Sequence, residues 1–405
     1  MSSAKELESQ YCAPNYHPLP VVLTRGEGVH VWDENGTKYL DMMSAYSAVS
    51  HGHANPRLVA ALKNQAEQLS IVSRAFYTDR LGPFLERACA LTGQAMALPM
   101  NTGAEAVATA VKAARRWGYE AKGIKSDQAE IIVCTGNFHG RTTTIISFSD
   151  EAEYQKNFGP LTPGFKIVQY GDADALEKAI TPNTAAFLVE PIQGEGGIVI
   201  PPQGYLKRCR DICTRNNVLL IADEIQTGLG RTGKLLACDH EDVIPDGLIL
   251  GKALGGGIMP VSMFLAKKEV MDIFVPGTHG STFGGNPLAA AVGLEALNIL
   301  VEEKLPERSM KMGEYLMSKL QQLDSPLISE VRGSGLFVGI EIDPAIGSAR
   351  EICERLMDRG LLSKETHETV VRLAPPLVIT REEIDWAVEQ IQAVLQEMDG
   401  VRLAS

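Results

Sequence analysis

Short apolar segments alternate with helix-like segments through the middle of this chain, and this alternation constrains the fold more than any other feature. Four of the apolar segments have the length and residue types of buried strands: 131–133, 186–189, 219–222 and 248–250. Helix-like segments, including 105–117 and 205–215, lie between them. Parallel strands that are buried on both faces are joined by helices in this way. From about residue 55 to residue 299, the sequence therefore predicts an α/β fold with a mainly parallel sheet between helices.

The two ends of the chain lack this alternation. Residues 1–54 are rich in Pro, Gly and aromatic residues, with short strands predicted near 29–33 and 38–41. Asn55 and Pro56 are typical of a helix start, and we expect that helix to continue to Leu69. After about residue 300 the pattern predicts an amphipathic helix, a strand at 336–342, a helix at 349–359 and a last helix from Arg381. We therefore expect an N-terminal segment at 1–54 that packs with the small domain, a large domain at 55–299 and a small α+β domain at 300–405.

The composition excludes several classes of protein. With 405 residues, 45% of them hydrophobic, the chain has material for a large globular core. The formal net charge of −12 disfavours a general affinity for nucleic acid or anionic membranes. The first ten residues lack the apolar core of a signal peptide, and no run of about 18 apolar residues predicts a membrane span. Seven scattered cysteines without a C-x-x-C motif indicate reduced thiols, so we expect a cytoplasmic protein.

Two ionisable residues stand at or near the C-terminal ends of predicted strands. Asp223 ends the run at 218–222, and Lys252 follows the run at 248–251. Ligands of open α/β sheets bind at this edge. A lysine in an apolar site loses its proton near neutral pH and attacks an aldehyde, and a buried carboxylate needs a cationic partner such as a protonated pyridine nitrogen. The pair therefore indicates pyridoxal phosphate chemistry.

Two loops near predicted strands offer further contacts to such a cofactor. Residues 102–105 (TGAE) form a capping box, which either binds phosphate through free N–H groups or simply caps a helix. In the loop at 138–141, Phe138 would stack on a flat ring and Arg141 would bind a carboxylate. The alternative for that loop is a solvated arginine, and His139 has no evident partner.

Acidic residues follow another predicted strand, and an arginine interrupts a later one. Glu190 and Glu195 lie at or just beyond a strand end, and the glycines around Glu195 predict either a turn or a loop that presents this residue to a pocket. Arg372 lies inside an apolar strand. A buried arginine needs a carboxylate, which Glu195, a substrate, or each in turn would supply.

Two other motifs are not expected to carry function. The segment 228–233 matches G-x-G-x-x-G, but four residues separate it from Asp223 and no long helix-like segment follows, so we do not expect NAD binding. His51 and His53 form an H-x-H pair without a third ligand, so we expect no metal site.

In their order along the chain, these motifs resemble those of the subgroup-III pyridoxal-phosphate aminotransferases of fold type I. The resemblance covers nearly the full length, at 101–106 (NTGAEA), 138–141 (FHGR), 190–195 (EPIQGE), 222–228 (ADEIQTG), 251–252 (GK) and 280–287 (GSTFGGNP). It implies an aspartate aminotransferase-like fold with a large cofactor-binding domain and a smaller α+β domain. Within the family, the resemblance is strongest to members that use ornithine, at 15–20 (NYHPLP), 44–49 (SAYSAV), 73–77 (SRAFY) and 372–376 (RLAPP).

The resemblance implies a role for each matching residue. Lys252 would bind the pyridoxal phosphate aldehyde and shuttle the proton, while Asp223 would keep the ring nitrogen protonated. The remaining cofactor contacts would come from Gly103 and Ala104 at the phosphate, Phe138 on the ring, Gln226 at the ring hydroxyl, Ser281, and Thr282, which would reach the phosphate of a neighbouring subunit. The family thus implies a homodimer or a larger homo-oligomer. Some relatives have Trp or Tyr where this chain has His139, which the family also allows.

The same resemblance implies transfer of the δ-amino group of L-ornithine to 2-oxoglutarate. Tyr16 and Arg141 would hold the α-carboxylate of ornithine, and Tyr46 would shape the pocket. Arg372 would bind the α-carboxylate of 2-oxoglutarate, and Glu195 would neutralise Arg372 while ornithine reacts. The alternatives are another ω-aminotransferase, which uses N-acetylornithine, 4-aminobutyrate or lysine, and a non-catalytic protein that keeps the fold.

Overall fold

The computed structural model describes residues 3–404, which form a central sheet and two smaller sheets surrounded by helices. The strands are β1 (Leu23–Glu27), β2 (His30–Asp33), β3 (Lys38–Asp41), β4 (Met96–Met100), β5 (Glu130–Cys134), β6 (Phe165–Val168), β7 (Thr184–Val189), β8 (Leu219–Asp223), β9 (Gly247–Leu250), β10 (Ser262–Ala266), β11 (Ile328–Ser334), β12 (Phe337–Ile342), β13 (Leu361–Leu362), β14 (Lys364–Thr366) and β15 (Val370–Leu373).

The helices, two short 3₁₀ helices apart, are α1 (Ala4–Tyr11), α2 (Ser44–Ser47), α3 (Pro56–Ala66), α4 (Leu81–Thr92), α5 (Gly103–Glu120), α6 (Thr143–Ile146), α7 (Ala152–Gln155), α8 (Ala173–Ala179), α9 (Tyr205–Arg215), α10 (Lys268–Met271), α11 (Pro287–Glu302), α12 (Leu305–Leu320), α13 (Ala349–Asp358) and α14 (Arg381–Ala404). The 3₁₀ helices are Ala237–Glu241 and Lys252–Gly255.

The central sheet has the strand order β4-β10-β9-β8-β7-β5-β6. The five strands from β9 to β6 in that order run parallel, and β10 is antiparallel to both of its neighbours. Every residue of β7, β8 and β9 is buried, as expected for strands covered by helices on both faces. The four predicted strands and the mainly parallel sheet are therefore confirmed. Register places Asp223 opposite Ile249, so the carboxyl ends of β8 and β9 meet at one edge.

Helix α5 covers one face of this sheet and begins at its functional edge. Thr102 caps the helix and Glu105 completes a capping box, as the sequence predicts. Small residues on the buried side, including Ala106, Ala110 and Ala113, let the helix backbone approach the strands closely. The tight packing fixes where the N-terminus of α5 lies relative to β8 and β9.

The two ends of the chain share a second sheet, in the order β1-β2-β3-β13. Strand β13 pairs in parallel with β3 and places Leu361 opposite Leu40. The third sheet, β11-β12-β15-β14, carries Arg372 on β15 opposite Gly339. The strands predicted near the N-terminus and at 336–342 are confirmed, and the division into three domains stays a prediction.

Some local predictions differ from the structure. Helix α3 ends at Ala66, and Leu69 is exposed beyond it, so the prediction that the helix reaches Leu69 is wrong. By contrast, the glycine-rich segment 228–233 is followed by a 3₁₀ helix at Ala237–Glu241 and not by a long crossover helix, as the sequence predicts. Among the helices of residues 3–404, none has the length and apolar character needed to cross a membrane.

Candidate active site

A cavity of about 220 Å³ lies at the carboxyl edge of the central sheet. Asp223 enters it from the last position of β8, and Lys252 enters it from the 3₁₀ helix that follows β9. The parallel register of the two strands brings these residues together, as the sequence predicts. The wall is formed by Gly103, Ala104, Phe138, His139, Gly140, Glu190, Asp223, Ile225, Gln226, Thr227 and Lys252.

His139 and Asp223 form a buried pair, with 2.6 Å between Nδ1 of the histidine and Oδ2 of the aspartate. The second carboxylate oxygen of Asp223 accepts from the backbone N–H of Ile225 at 3.0 Å. Burial lowers the pKa of His139, but the hydrogen bond and negative charge of Asp223 and the charge of Glu190 outweigh it, so the net pKa is raised. The expectation that His139 has no partner is therefore wrong.

Glu190 lies fully inside the protein behind this pair. Its carboxylate accepts from the backbone N–H of Phe138 at 3.0 Å and from that of Gly194 at 3.5 Å. Burial raises the pKa of Glu190 to about 7, with His139 lowering it and Asp223 raising it. Glu190 thus ties the loop that carries Phe138 to the end of β7.

Lys252 is prepared to lose its proton. Burial lowers the pKa of its ammonium group, the charge of Glu195 opposes that shift, and the charge of Arg372 adds to it. The backbone of Lys252 has a φ of 44°, in the left-handed region that non-glycine residues seldom occupy. Lys252 shares the cavity with Asp223, whose exposure is 4%, and a lysine with a lowered pKa in such a site is suited to react with a carbonyl compound.

The N-terminus of α5 forms another part of the wall. The side chain of Glu105 accepts from the N–H groups of Asn101 and Thr102 at 2.9 Å and 2.8 Å, and the Thr102 hydroxyl accepts from the N–H of Glu105 at 3.3 Å. The first two N–H groups of the helix itself, those of Gly103 and Ala104, have no acceptor within the helix and lie at the cavity. An anionic group bound there gains hydrogen bonds and the favourable helix dipole.

Arg372 and Glu195 form an ion pair whose charges act on Lys252, with Nη1 and Oε1 2.6 Å apart. The arginine side chain is 1% exposed and the glutamate side chain 24%. Burial raises the pKa of Glu195, but the charges of Arg372 and Lys252 outweigh it, so the net pKa is lowered and the pair is ionised at neutral pH. The guanidinium also lies 4.7 Å from the ring centroid of Tyr46.

Tyr46 is held in an unusual backbone conformation. Residues 44–47, which we name the left-handed turn, have φ angles of 42°, 47°, 59° and 74°, and none of them is glycine. Left-handed helical backbone costs roughly 1–2 kcal/mol per residue with a Cβ, so the surrounding structure has to hold this turn in place. The turn carries the Tyr46 ring to the guanidinium of Arg372.

The remaining predicted site residues lie in different places. Gln226 and Phe138 line the cavity, and Gly194 leaves room for Gln226, since a Cβ at Gly194 would lie 2.0 Å from its side-chain oxygen. The exposed guanidinium of Arg141 lies 3.5 Å from the ring centroid of Tyr154, a residue that sequence reasoning missed. Tyr154 lies in the short helix α7, which the pattern of apolar residues does not predict.

Seven of the predicted residues are not among those that line the cavity. Four of them, Tyr46, Arg141, Glu195 and Arg372, have the contacts given above, and the other three are Tyr16, Ser281 and Thr282. Tyr16 lies in the N-terminal segment with 75% of its surface exposed. Ser281 accepts a hydrogen bond from the side-chain amide of Asn101 at 2.9 Å, directly before the capping box of α5. Thr282 is exposed at the surface next to Ser281.

The donor set of the cavity fits pyridoxal phosphate. The cofactor's aldehyde reacts with a lysine, and its ring nitrogen pairs with a carboxylate. Its ring hydroxyl bonds a polar side chain, and its phosphate binds at a helix N-terminus. The cavity presents Lys252, Asp223, Gln226 and the start of α5, in that correspondence, and its apolar wall includes Phe138. These groups therefore match the cofactor that the sequence resemblance implies.

Comparison with known proteins shows the family. A family model described as aminotransferase class-III matches residues 11–395, and the chain belongs to this family. An ornithine aminotransferase from a Geobacillus species (strain WCH70) is 60% identical over 388 residues, which cover 96% of this chain and 97% of the relative.

Two solved structures extend the comparison. The ornithine aminotransferase of Toxoplasma gondii, described with partial occupancy of pyridoxal phosphate at its active site, has a TM-score of 0.97 and 47% identity, covering 98% of this chain and 94% of that one. The acetylornithine aminotransferase of Elizabethkingia anophelis has a TM-score of 0.89 and 50% identity, covering 97% of this chain and 98% of that one. Both agree with the fold type I architecture that the sequence predicts.

Proposed function

We propose that this chain is a pyridoxal-phosphate-dependent aminotransferase that moves the δ-amino group of L-ornithine to 2-oxoglutarate, giving glutamate 5-semialdehyde and glutamate. The observation that carries the proposal is the buried Arg372–Glu195 ion pair beside Lys252. An uncovered Arg372 would attract any α-carboxylate to the cavity, whereas the neutralised arginine favours a donor whose reacting amine is remote from its carboxylate. The names of the relatives agree with this donor.

The residues of the cavity would hold the cofactor by its separate groups. Gly103 and Ala104 would bind the phosphate through backbone N–H groups, Phe138 would stack on the ring, and Gln226 would bind the ring hydroxyl. When bound, pyridoxal phosphate supplies an electron sink for the carbon that carries the transferred amino group. Asp223, oriented by His139, would hold a proton on the ring nitrogen.

Lys252 is proposed as the catalytic base and acid. Because burial lowers the pKa of its ammonium group, more of the side chain is a neutral amine at a given pH than in a free lysine. That amine would take the proton from the substrate carbon that carries the transferred nitrogen and would return it to the carbon on the other side of that nitrogen, the one that the cofactor's aldehyde contributes. Asp223 and Lys252 are thus the two residues to which we assign catalysis.

The two substrates would use different cations. Tyr16 and Arg141 would hold the α-carboxylate of ornithine away from Lys252, with Tyr46 as part of the pocket wall. When 2-oxoglutarate replaces ornithine, Glu195 would turn away and leave Arg372 to bind the α-carboxylate beside the reacting carbon. The partial exposure of Glu195 supports this movement, since its side chain borders open space while that of Arg372 does not.

A second copy of the chain is proposed to complete the site. Ser281 and Thr282 lie outside the cavity of their own chain, and Thr282 would reach the cofactor phosphate of the partner copy. Three large aromatic side chains are exposed, as expected for a surface that a partner covers. They are Phe283, which directly follows Thr282 in sequence, and Phe76 and Tyr77. We propose at least a homodimer, in the cytoplasm, where the seven free cysteines would stay reduced.

N-acetylornithine is the alternative donor, because the acetylornithine aminotransferase of Elizabethkingia anophelis shares 50% identity with this chain. A panel of donors decides between them. The holoenzyme is mixed separately with ornithine, N-acetylornithine, 4-aminobutyrate and lysine, and the change in the cofactor's visible absorbance is followed. Fast conversion by ornithine supports the proposal, and faster conversion by another donor overturns the choice of substrate. Conversion by none of them would restore the non-catalytic alternative.

A further inference from the structure

Arg231 is a buried arginine that forms no ion pair among residues 3–404, although the charge of Asp41 acts on it. Its side chain is fully buried, and no carboxylate within residues 3–404 forms an ion pair with it. A buried arginine ordinarily pairs with a carboxylate, because burying a charge without one is costly. Arg231 belongs to the glycine-rich segment 228–233, for which the proposed function has no use. The free-energy cost of burying this charge therefore needs an explanation other than the proposed catalysis.

The guanidinium of Arg231 joins two separate parts of the substrate pocket. One nitrogen, Nη1, donates to the backbone carbonyl groups of Leu336 at 2.9 Å and Pro375 at 2.6 Å. Leu336 directly precedes β12, and Pro375 follows β15, the strand that carries Arg372. This half of the guanidinium therefore fixes the start of β12 and the end of β15, two paired strands of which the second carries Arg372.

The other nitrogen, Nη2, holds the left-handed turn. It donates to the hydroxyl oxygen of Ser44 at 3.3 Å and to that of Ser50 at 3.0 Å. The Ser44 hydroxyl in turn donates to the carbonyl of Ala374 at 2.6 Å, and the Ser50 hydroxyl donates to the carbonyl of Ser47 at 2.9 Å. Both hydroxyl groups are thus oriented by Arg231 to bond the turn itself and the strand end beside it.

These contacts lead to a role for the arginine. A run of four left-handed residues with Cβ atoms does not persist without outside support. Asp41 supports the start of the turn by accepting from the backbone N–H of Ser44 at 2.9 Å, and Arg231 supports it through the two serine hydroxyl groups. Because the same guanidinium also fixes the end of β15, Arg231 links the positions of Tyr46 and Arg372. We propose that Arg231 is a positioning residue for substrate choice, which keeps the Tyr46 ring against the Arg372 guanidinium. This inference rests on the proposed function.

A lysine at position 231 would keep the charge and lose the geometry. The planar guanidinium donates in two directions at once, whereas an ammonium group is a compact point charge on a flexible stem. Arg231→Lys should therefore release either the turn or the strand end. Ser44→Ala removes the link between the turn and Ala374 by a smaller change, and it carries the test if Arg231→Lys does not fold.

A double-mutant cycle with Tyr46→Ala tests the proposal in the holoenzyme. The readout is the ratio of kcat/KM for ornithine to kcat/KM for glutamate, measured in separate half-reactions. We expect Arg231→Lys and Ser44→Ala to lower this ratio by about fivefold, within the range of coupling between residues that share a network. In the Tyr46→Ala background, either change should leave the ratio unaltered, because the positioned ring is already absent.

Arg308→Lys is the matched control. Arg308 also donates to two backbone carbonyl groups after β15, those of Val378 and Ile379, but it has no contact with the left-handed turn. If Arg231 has a merely structural role, Arg231→Lys, Ser44→Ala and Arg308→Lys should each lose activity toward ornithine and glutamate together. Their effects should then add to that of Tyr46→Ala. This outcome overturns the proposal. If the wild-type enzyme prefers another ω-amino donor, the proposed function fails. The same double-mutant cycle, measured with that donor in place of ornithine, then still tests the role of Arg231.

Discussion

The imidazole of His139 lies against the carboxylate of Asp223, with 2.6 Å between Nδ1 and Oδ2, and both side chains are buried. The raised pKa of His139 makes this pair a source of pH-dependent stability. A histidine whose pKa is higher in the folded state contributes stability in full below its unfolded value of 6.5, and this contribution is lost as pH rises through the folded pKa. We expect His139→Phe to lower the free energy of unfolding most below pH 6.5 and progressively less above it.

Denaturant titrations of the holoenzyme across this pH range measure the difference. His30→Phe is the control, because burial lowers the pKa of His30 and its charged form is disfavoured by folding. The contribution of His30 is therefore lost as pH falls, which is the opposite trend. Parallel pH profiles for the two variants would contradict the prediction.

Removal of Glu195 should uncover Arg372. Because the two side chains form a 2.6 Å ion pair, Glu195→Ala frees the guanidinium for the α-carboxylate of an α-amino donor. We expect kcat/KM for glutamate to rise on the order of tenfold, equivalent to about 1.4 kcal/mol, and the preference for ornithine to fall. Stopped-flow half-reactions measure both donors. Glu330→Ala, which breaks the exposed pair with Arg332, should change neither, and an unaltered preference in Glu195→Ala would show that Glu195 does not screen the arginine.

Lys252→Ala should remove proton transfer. This half-buried lysine is the group proposed to move the proton, so turnover should fall by at least about 100-fold, the usual contribution of a general acid–base group. Steady-state assays with ornithine and 2-oxoglutarate measure the loss. The control is Lys267→Ala, which removes an ion pair with Asp246. Asp246 directly precedes β9, at the opposite end of that strand from Lys252, so turnover should stay near the wild-type value. Normal turnover in Lys252→Ala would end the catalytic assignment.

Arg350 should matter for ornithine although it lies outside the cavity. From α13, it donates to the backbone carbonyl groups of His17 at 3.2 Å and Pro18 at 3.4 Å, directly after Tyr16. Arg350→Gln should loosen this segment and raise KM for ornithine by about threefold or more, the scale of one lost hydrogen bond. Glutamate should be unaffected in its half-reaction. Arg355→Gln, on the same helix and paired with Glu351 alone among residues 3–404, is the control, and equal effects of both variants would refute a role for Arg350.

The left-handed turn should accept glycine better than alanine. Ala45 is exposed and has a φ of 47°, so its Cβ is strained without being packed. We expect Ala45→Gly to raise the free energy of unfolding by roughly 1 kcal/mol. Ala60→Gly, at an exposed position inside α3, should lower it by roughly 0.5–1 kcal/mol. Urea unfolding midpoints compare the two, and a loss of stability in both would mean that the turn is not strained at Ala45.

The sequence predicts the parallel core of the sheet well because strands buried on both faces read as continuous apolar runs. Strands β4 and β10 are not predicted, and β4 contains Pro99, a residue that argues against a central strand. Its position at the edge of the sheet explains how the proline is accommodated, since an edge strand has one side without ladder hydrogen bonds. Edge position is a property of the assembled sheet and not of the segment.

The candidate site, like the fold, has one part that the sequence predicts and another that it does not. Asp223 and Lys252 are found from the sequence because strand ends in a parallel sheet meet at one edge. The His139–Asp223 pair joins residues 84 positions apart, one in the loop after β5 and the other at the end of β8, and these two strands are not neighbours in the sheet. Side-chain distances of this kind depend on the full three-dimensional register. The left-handed turn is also invisible in sequence, because local preferences of its residues favour other conformations.

The hydrogen bond from Ser44 to Ala374 spans 330 positions of the chain. A ribosome therefore has to release nearly the whole polypeptide before the pocket wall that contains Tyr46 and Arg372 can form. At an earlier point of synthesis, a nascent chain already contains Asp223 and Lys252, the residues with the reactive groups. The contact between the Tyr46 wall and the Arg372 strand therefore depends on the last part of the chain to be synthesised, whereas the strands that carry Asp223 and Lys252 are complete well before it.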